Sequence, residues 1–251
     1  MSGLPQRFRV ATICLLAMMT SMAAPTGGRA DEPRQESLPR TAVRIADESP
    51  LRIIAFGSSS TEGIGASSPQ ATYPSRLQVE LSALLPQEQI IVLNRGVGGE
   101  DSDDMAKRLP AILAEHPDLV IWQTGSNDPL RDVPLDRFIG QTEAGLTTMR
   151  AAGVDVMLME PQYCRQLASK PGSERFRDAI RAIGAKYGVP VIRRFGLMRA
   201  WLDKGLVTPA QLLSADGLHM ADAGYRLLAA EVAREIVAKA RVAARFGTAA
   251  R

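Results

Sequence analysis

Leu51-Arg52-Ile53-Ile54-Ala55-Phe56-Gly57-Ser58-Ser59-Ser60-Thr61 is the stretch that decides the fold. It is an almost unbroken apolar run that stops at a glycine and passes into hydroxyl residues. Such a run fits a strand buried on both faces, with a turn at its carboxyl end. Residues 89–94, 118–124, 154–160 and 189–193 repeat the pattern: short, rich in Val, Ile, Leu or Met, and closed by polar or turn residues. Helix-like spacing fills the gaps, at residues 75–85, 102–115, 136–152 and 174–187. In the last of these Phe176, Ile180 and Ile183 fall three to four apart. Residues 222–240 form the strongest helix: Asp222 can cap it, and Tyr225, Leu228, Ala229 and Val232 share a face. Strands alternating with helices predict a parallel sheet covered on both sides, with ligands at the carboxyl ends of its strands.

The N-terminus reads differently. Arg7 and Arg9 precede an apolar run from Val10 to Ala24, and small residues follow. That order predicts a secretory signal peptide, and the run is short for a spanning helix. The cut falls after Ala24 or after Ala30; Gly28-Arg29-Ala30 ahead of Asp31-Glu32 favours the second, giving a signal peptide over 1–30. The expected location is therefore exported, periplasmic or secreted, with no stable membrane insertion after cleavage. Residues 31–50 are polar and carry Pro33, Pro39 and Pro50, so they read as a flexible lead-in. The folded domain is expected over 51–243, with a tail at 244–251.

Composition excludes several classes. The chain is 45% hydrophobic and 23% charged, ordinary for a globular domain and unlike a disordered chain or a fibre. Removing residues 1–30 takes out Arg7, Arg9 and Arg29 and brings the formal charge from +3 to 0. The basic character thus belongs to the targeting segment and gives no reason to expect a nucleic-acid partner. Cleavage also removes Cys14 and leaves Cys164 alone, without an intrachain disulfide partner.

Four polar clusters fall on one predicted edge of the sheet. They are Gly57-Ser58-Ser59-Ser60-Thr61, Asn94-Arg95-Gly96-Val97-Gly98-Gly99, Gly125-Ser126-Asn127-Asp128 and Asp216-Gly217-Leu218-His219. Together they hold what acyl transfer needs. A serine hydroxyl is a poor nucleophile unless a base lies in hydrogen-bond reach and a third group orients that base. His219, three residues after Asp216, suits the base, and Asp216 can fix its tautomer. His116, in Glu115-His116-Pro117, reads as the end of a helix. The tetrahedral intermediate needs donors, which the N–H groups of Ser59 and Gly99 and the side-chain amide of Asn127 can supply. Pro161-Gln162-Tyr163 follows the fourth strand on the same edge, which makes Gln162 a candidate substrate contact.

These blocks resemble the SGNH hydrolases, named for Ser, Gly, Asn and His in separate blocks. Ile54-Ala55-Phe56-Gly57-Ser58-Ser59-Ser60-Thr61 is similar to the first block, Gly99 to the second-block glycine, Gly125-Ser126-Asn127-Asp128 to the third block, and Asp216-Gly217-Leu218-His219 to the last. The resemblance implies a flavodoxin-like three-layer α/β/α sandwich with a five-stranded parallel sheet. It implies Ser59, Asp216 and His219 as a catalytic triad, and Ser59, Gly99 and Asn127 as the oxyanion hole. It implies no cofactor and no metal. The first block of the family commonly reads Gly-Asp-Ser-Leu; here Ser58 replaces Asp and Ser60 replaces Leu.

Other motifs are missing. Thr61 stands where the α/β-hydrolase elbow needs its last glycine. The Gly96-Val97-Gly98-Gly99 loop lacks the third glycine of a dinucleotide fingerprint, and no His/Cys/Asp cluster has metal-ligand spacing. The expected function is an exported serine esterase acting on short-chain, glycan-linked or small-lipid acyl esters through an acyl-enzyme. The alternatives are an O-acyltransferase acting on a glycan, which would use the same triad, and a non-catalytic flavodoxin-like binding module.

Overall fold

The computed structural model describes residue 1 and residues 36–247. The signal peptide expected over 1–30, residue 1 apart, lies outside the described residues, as do residues 31–35 and 248–251. In chain order the elements are α1 (Pro39–Ala46), β1 (Leu51–Gly57), α2 (Ser59–Glu62), a 3-10 turn (Pro69–Ala71), α3 (Tyr73–Leu84), β2 (Ile90–Gly96), α4 (Ser102–Ala114), β3 (Leu119–Gln123), α5 (Leu135–Ala151), β4 (Asp155–Met159), α6 (Arg165–Ser169), α7 (Ser173–Tyr187), β5 (Val191–Ile192), α8 (Arg194–Asp203), α9 (Pro209–Leu212) and α10 (Asp222–Gly247). The strands form one parallel sheet in the order β2-β1-β3-β4-β5.

Alternation along β1 explains the layers. Leu51, Ile53 and Ala55 point to one face and pack with α3 and α10, through Leu77, Leu81, Tyr225, Leu228 and Val232. Ile54 and Phe56 point to the other and pack with α4, α5 and α7, through Met105, Phe138 and Ile180. Successive strand side chains alternate faces, so a sheet covered on both sides needs apolar residues at every position. That is why β1, β3 and β4 read as continuous runs. On α10, Tyr225, Leu228, Ala229, Val232, Ala233 and Ile236 are all fully buried. Each large side chain buried in this way stabilises by about 1.5–3 kcal/mol.

Two expectations are corrected. The stretch 31–50 is not a loose lead-in throughout, because α1 occupies Pro39–Ala46. Proline at its first position supplies a helical φ and gives up an N–H that had no partner there. Thr41 is buried, and its N–H and hydroxyl both donate to Asp155 Oδ2, at 2.8 and 2.9 Å. Arg40 and Arg44, one turn apart, both donate from Nε to Asp118 Oδ1, at 2.9 and 2.8 Å. Asp118 Oδ2 also accepts the Arg52 N–H at 3.0 Å. Asp118 and Asp155 stand where β3 and β4 begin, so α1 braces the amino edge of the sheet. At the other end, α10 continues through Gly247, beyond the expected limit at 243.

Burial works to raise the Asp118 pKa, but the Arg52 N–H, Arg44 and Arg40 outweigh it and lower it. A lowered carboxylate stabilises the fold above its unfolded pKa of about 3.9, and the gain is lost as pH falls through the folded value. Asp118→Ala should therefore cost about 2 kcal/mol at neutral pH. The gap to wild type should close in acid; urea unfolding at about pH 7 and about pH 3 measures both arms.

Candidate active site

The strand order places a crevice between β1 and β3. The chain leaves β1 towards β2 on one side and returns to β3 on the other, so the carboxyl ends of β1 and β3 face a gap that no crossover covers. Ser59 follows β1 and Asn127 follows β3, one on each lip.

Ser59 opens the short helix α2, with Ser58 as its N-cap residue and Gly63 (φ 108°) closing it. The first N–H groups of a helix have no intrahelical acceptor, and the Ser59 N–H stands among them. Ser58 and Ser60 are each 1% exposed, whereas Ser59 is half-buried. Ser58 Oγ donates to Gln123 Oε1 at 3.1 Å. Of the three serines, Ser59 is therefore the one whose hydroxyl reaches the crevice.

The β2 exit comes very close to this turn. A Cβ at Gly96 would lie 2.0 Å from the Glu62 nitrogen, so only glycine lets β2 and α2 touch. Asn94 locks the contact: its Nδ2 donates to the Glu62 carbonyl at 3.1 Å, and its Oδ1 accepts the Gly96 N–H at 2.9 Å. Gly98 lies against Ser59, since a Cβ on it would be 3.8 Å from Ser59 Cβ. Gly99 has φ +79°, with open space where a Cβ would stand. Asn127 Nδ2 donates one hydrogen to the Glu100 carbonyl at 2.7 Å, which leaves its second hydrogen available. Arg131 links the two loops, donating its N–H to the Asn127 carbonyl at 2.8 Å and Nη1 to the Gly99 carbonyl at 3.2 Å.

Asp216 and His219 arrive on a loop closed on itself. Leu213 and Met220 bridge in antiparallel fashion, and Ser214 N–H donates to the His219 carbonyl at 2.9 Å. Asp216 Oδ1 accepts from Ser214 Oγ at 2.7 Å and from the N–H groups of Leu218 and His219 at 2.9 Å each. Its Oδ2 lies 2.6 Å from His219 Nδ1, and His219 Nε2 lies 2.8 Å from Ser59 Oγ. Burial pushes the Asp216 pKa up, yet the His219 ring, the Ser214 hydroxyl and the two N–H groups hold it well below the usual carboxylate range. A carboxylate that stays ionised orders the imidazole with Nδ1–H towards Asp216. Nε2 is then free to take a proton from Ser59.

The chain matches the model of the non-GDSL lipase-like family over residues 30–242. The chain belongs to that family. It is an SGNH-type hydrolase, and its carboxylic-ester chemistry follows from that class. An arylesterase from Vibrio mimicus is 26% identical over 178 residues, covering 66% of this chain and 83% of that protein. A lipase/acylhydrolase from Enterococcus faecalis superposes with a TM-score of 0.63 at 27% identity, covering 74% of this chain and 95% of that one. A two-domain esterase active on acetylated mannans superposes at 0.69 with 22% identity over 83% of this chain. The SGNH-type chain spans 55% of that larger protein, and the likeness speaks to the fold alone.

Residues named from sequence fare unequally. Ser59, Asp216 and His219 come together through two hydrogen bonds, and Gly99 and Asn127 line the same crevice. His116 does not join them; it ends α4 with φ 51° and donates its N–H to the Leu113 carbonyl at 3.0 Å. Cys164 is buried, which pushes its thiol pKa up and keeps it protonated. Gln162 is tightly held. It is 2% exposed and its amide is engaged: Oε1 accepts from Ser126 Oγ at 3.1 Å and Arg194 Nη2 at 2.8 Å, and Nε2 donates to the Leu218 carbonyl at 3.3 Å. Its side chain holds loops together, and the residue also lines the cavity beside them. Sequence reading assigned no role to Gln123, Ser126, Arg131 and Arg194, each of which has at least one partner far away along the chain. A cavity of about 210 Å³ borders these loops, lined by Gly125, Pro161, Leu167, Arg177 and Phe195 among others. Among the described residues, no group of His, Cys, Asp or Glu is placed to hold a metal ion.

A serine-reactive fluorophosphonate should label this protein at Ser59. Peptide mass spectrometry should find the adduct there in wild type, Ser58→Ala and Ser60→Ala, and find none in Ser59→Ala.

Proposed function

We propose that this chain is an exported serine esterase that cleaves small acyl groups through an acyl-enzyme. The observation that carries this reading is the continuous pair of contacts from Ser59 Oγ to His219 Nε2 at 2.8 Å and from His219 Nδ1 to Asp216 at 2.6 Å. Ser59 Oγ attacks the ester carbonyl as His219 Nε2 takes its proton. The negative charge moves to the carbonyl oxygen, where the N–H groups of Ser59 and Gly99 and the second amide hydrogen of Asn127 stabilise it. His219 gives its proton to the departing alcohol and the acyl-enzyme forms. Water then attacks, losing a proton to His219, and the carboxylic acid leaves as Ser59 recovers its hydrogen.

The arylesterase relative supports ester cleavage. Structural neighbours active on acetylated mannans and named as an acetylxylan esterase support a short acyl group carried on a glycan. Export rests on the signal-like order of residues 1–30, and none of the described helices is long and apolar enough to cross a membrane. A binding module would leave the serine–histidine–aspartate alignment without a use.

The test is hydrolysis of p-nitrophenyl acetate, butyrate and octanoate. Acetate should be preferred, and Ser59→Ala should abolish turnover. Asn127→Ala should lower kcat by about 10²–10³ with the fold intact. Asp216, held well below the usual carboxylate range, should add no limb of its own to the pH–rate profile across that range. Unchanged kcat in Asn127→Ala, or loss of rate in Asp216→Asn of less than about twofold, would overturn these roles.

A further inference from the structure

Beneath the crevice runs a chain of buried, uncharged polar side chains. Gln123 is 0% exposed, Ser126 5% and Gln162 2%, and the fully buried Arg194 closes the chain. Gln123 Oε1 accepts from Ser58 N–H at 2.9 Å, Ser58 Oγ at 3.1 Å and Thr61 Oγ1 at 3.1 Å. Gln123 Nε2 donates to Ser126 Oγ at 3.2 Å, and Ser126 Oγ donates to Gln162 Oε1 at 3.1 Å. Gln162 Nε2 then reaches the Leu218 carbonyl at 3.3 Å. Arg194 anchors the far end, with Nη2 on Gln162 Oε1 at 2.8 Å and Nε on the Glu160 carbonyl at 2.9 Å.

Every proton in this chain has one position. The Ser58 N–H can only donate, so the oxygen of Gln123 faces it and the nitrogen turns to Ser126. Arg194 can only donate, so the oxygen of Gln162 faces it and the nitrogen turns to the Leu218 carbonyl. The Ser126 hydroxyl is left to accept from one side and donate to the other. A buried network whose links each have a fixed donor and acceptor is stiff, and its polarity does not reverse.

The points it grips have a common property. Ser58 precedes Ser59, Ser126 precedes Asn127, and Leu218 precedes His219. Two of these grips clamp a peptide unit from both ends. In the Gly57–Ser58 unit, Gln123 holds the N–H and Val97 N–H holds the carbonyl at 3.0 Å. In the Leu218–His219 unit, Gln162 holds the carbonyl and Asp216 Oδ1 holds the N–H at 2.9 Å. Gly57 makes the first grip possible, because a Cβ there would stand 2.7 Å from Gln123 Oε1.

We infer that Gln123, Ser126 and Gln162 form a positioning relay that sets Ser59, Asn127 and His219 in register with one another. The inference rests on the serine-esterase reading above. Each acts through the residue ahead of a reacting group. The relay also accounts for Ser58 in place of the family's aspartate. Gln123 reaches in from β3 to organise the turn as an acceptor, and it brings no buried charge that would need a counter-ion.

The test compares wild type, Ser126→Ala, Gln123→Glu and Gln123→Leu. Ser126→Ala removes the middle link and leaves Gln123 its three donors, so it should melt close to wild type. Its acylation rate with p-nitrophenyl acetate should fall by about tenfold or more, in kcat rather than KM. In Gln123→Glu the introduced carboxyl can keep both grips only while protonated. Its acylation should therefore fall with rising pH, in a limb that wild type lacks. Gln123→Leu should lose both stability and rate; if it does not fold, Ser126→Ala and Gln123→Glu carry the test. The His219 Nδ1–H resonance in proton NMR needs no turnover, and in Ser126→Ala it should shift or broaden. Acylation within about twofold of wild type, no new pH limb and an unmoved resonance would overturn the relay. An inactive wild type with a displaced resonance in Ser126→Ala would instead sink the esterase reading and leave the relay standing.

Discussion

β1 pairs in parallel along its whole length with β2, from Leu51–Ile90 to Gly57–Gly96, and over Ile53–Phe56 with β3. Both neighbours start and stop at heights set by that pairing. The exits of β1, β2 and β3 therefore lie side by side, and the loops that leave them have little freedom. Gly96 presses on α2, Gly98 on Ser59, and Gln123 on the underside of the Ser58 turn. The loop from the last part of the chain needs only to cross this edge once for His219 to meet Ser59. Chemistry that requires hydroxyl, imidazole and amide donors within a few ångströms is thus a consequence of strand register.

Much of this was legible in the amino-acid sequence, for a physical reason. A strand buried on both faces must be apolar throughout, and that signal is strong in β1, β3 and β4. The fifth run, read as 189–193, forms ladder pairs only at Val191–Ile192. Pro190 has no N–H to give a ladder, although its carbonyl still accepts from Leu158 at 2.9 Å. Helix α1 was not legible. Its stretch is polar and rich in proline, and its acidic partners, Asp118 and Asp155, stand more than seventy residues away along the chain. Only the folded sheet reveals that Arg40 and Arg44 have somewhere to go. Helix α8 escaped notice because Arg194-Phe195-Gly196 lacks a clear helical stripe.

The site divides along the same line. Residues proposed to react are recognised by type and spacing, so Ser59, Gly99, Asn127, Asp216 and His219 stood out. Residues that hold them depend on which strands become neighbours. Gln123 sits inside an apolar run, where its amide looks like an ordinary polar interruption. Its meaning comes from β3 lying beside β1, with Gly57 leaving room for it. Gln162 was noticed for its place on the right edge, but its amide partners were not foreseen. Nothing local in Pro161-Gln162-Tyr163 says that the amide turns inward, towards Arg194 and Leu218.

The brace at the amino edge has a further consequence. α1 grips the starts of β3 and β4, so the described chain enters this unit on the side opposite the crevice. The site's three clustered exits face the other way. A tether, a fusion partner or a solid support joined ahead of residue 36 would hold the molecule by its back. Immobilised through that end, the protein would present its open edge to bulky polymeric material instead of pressing it against the surface that carries it.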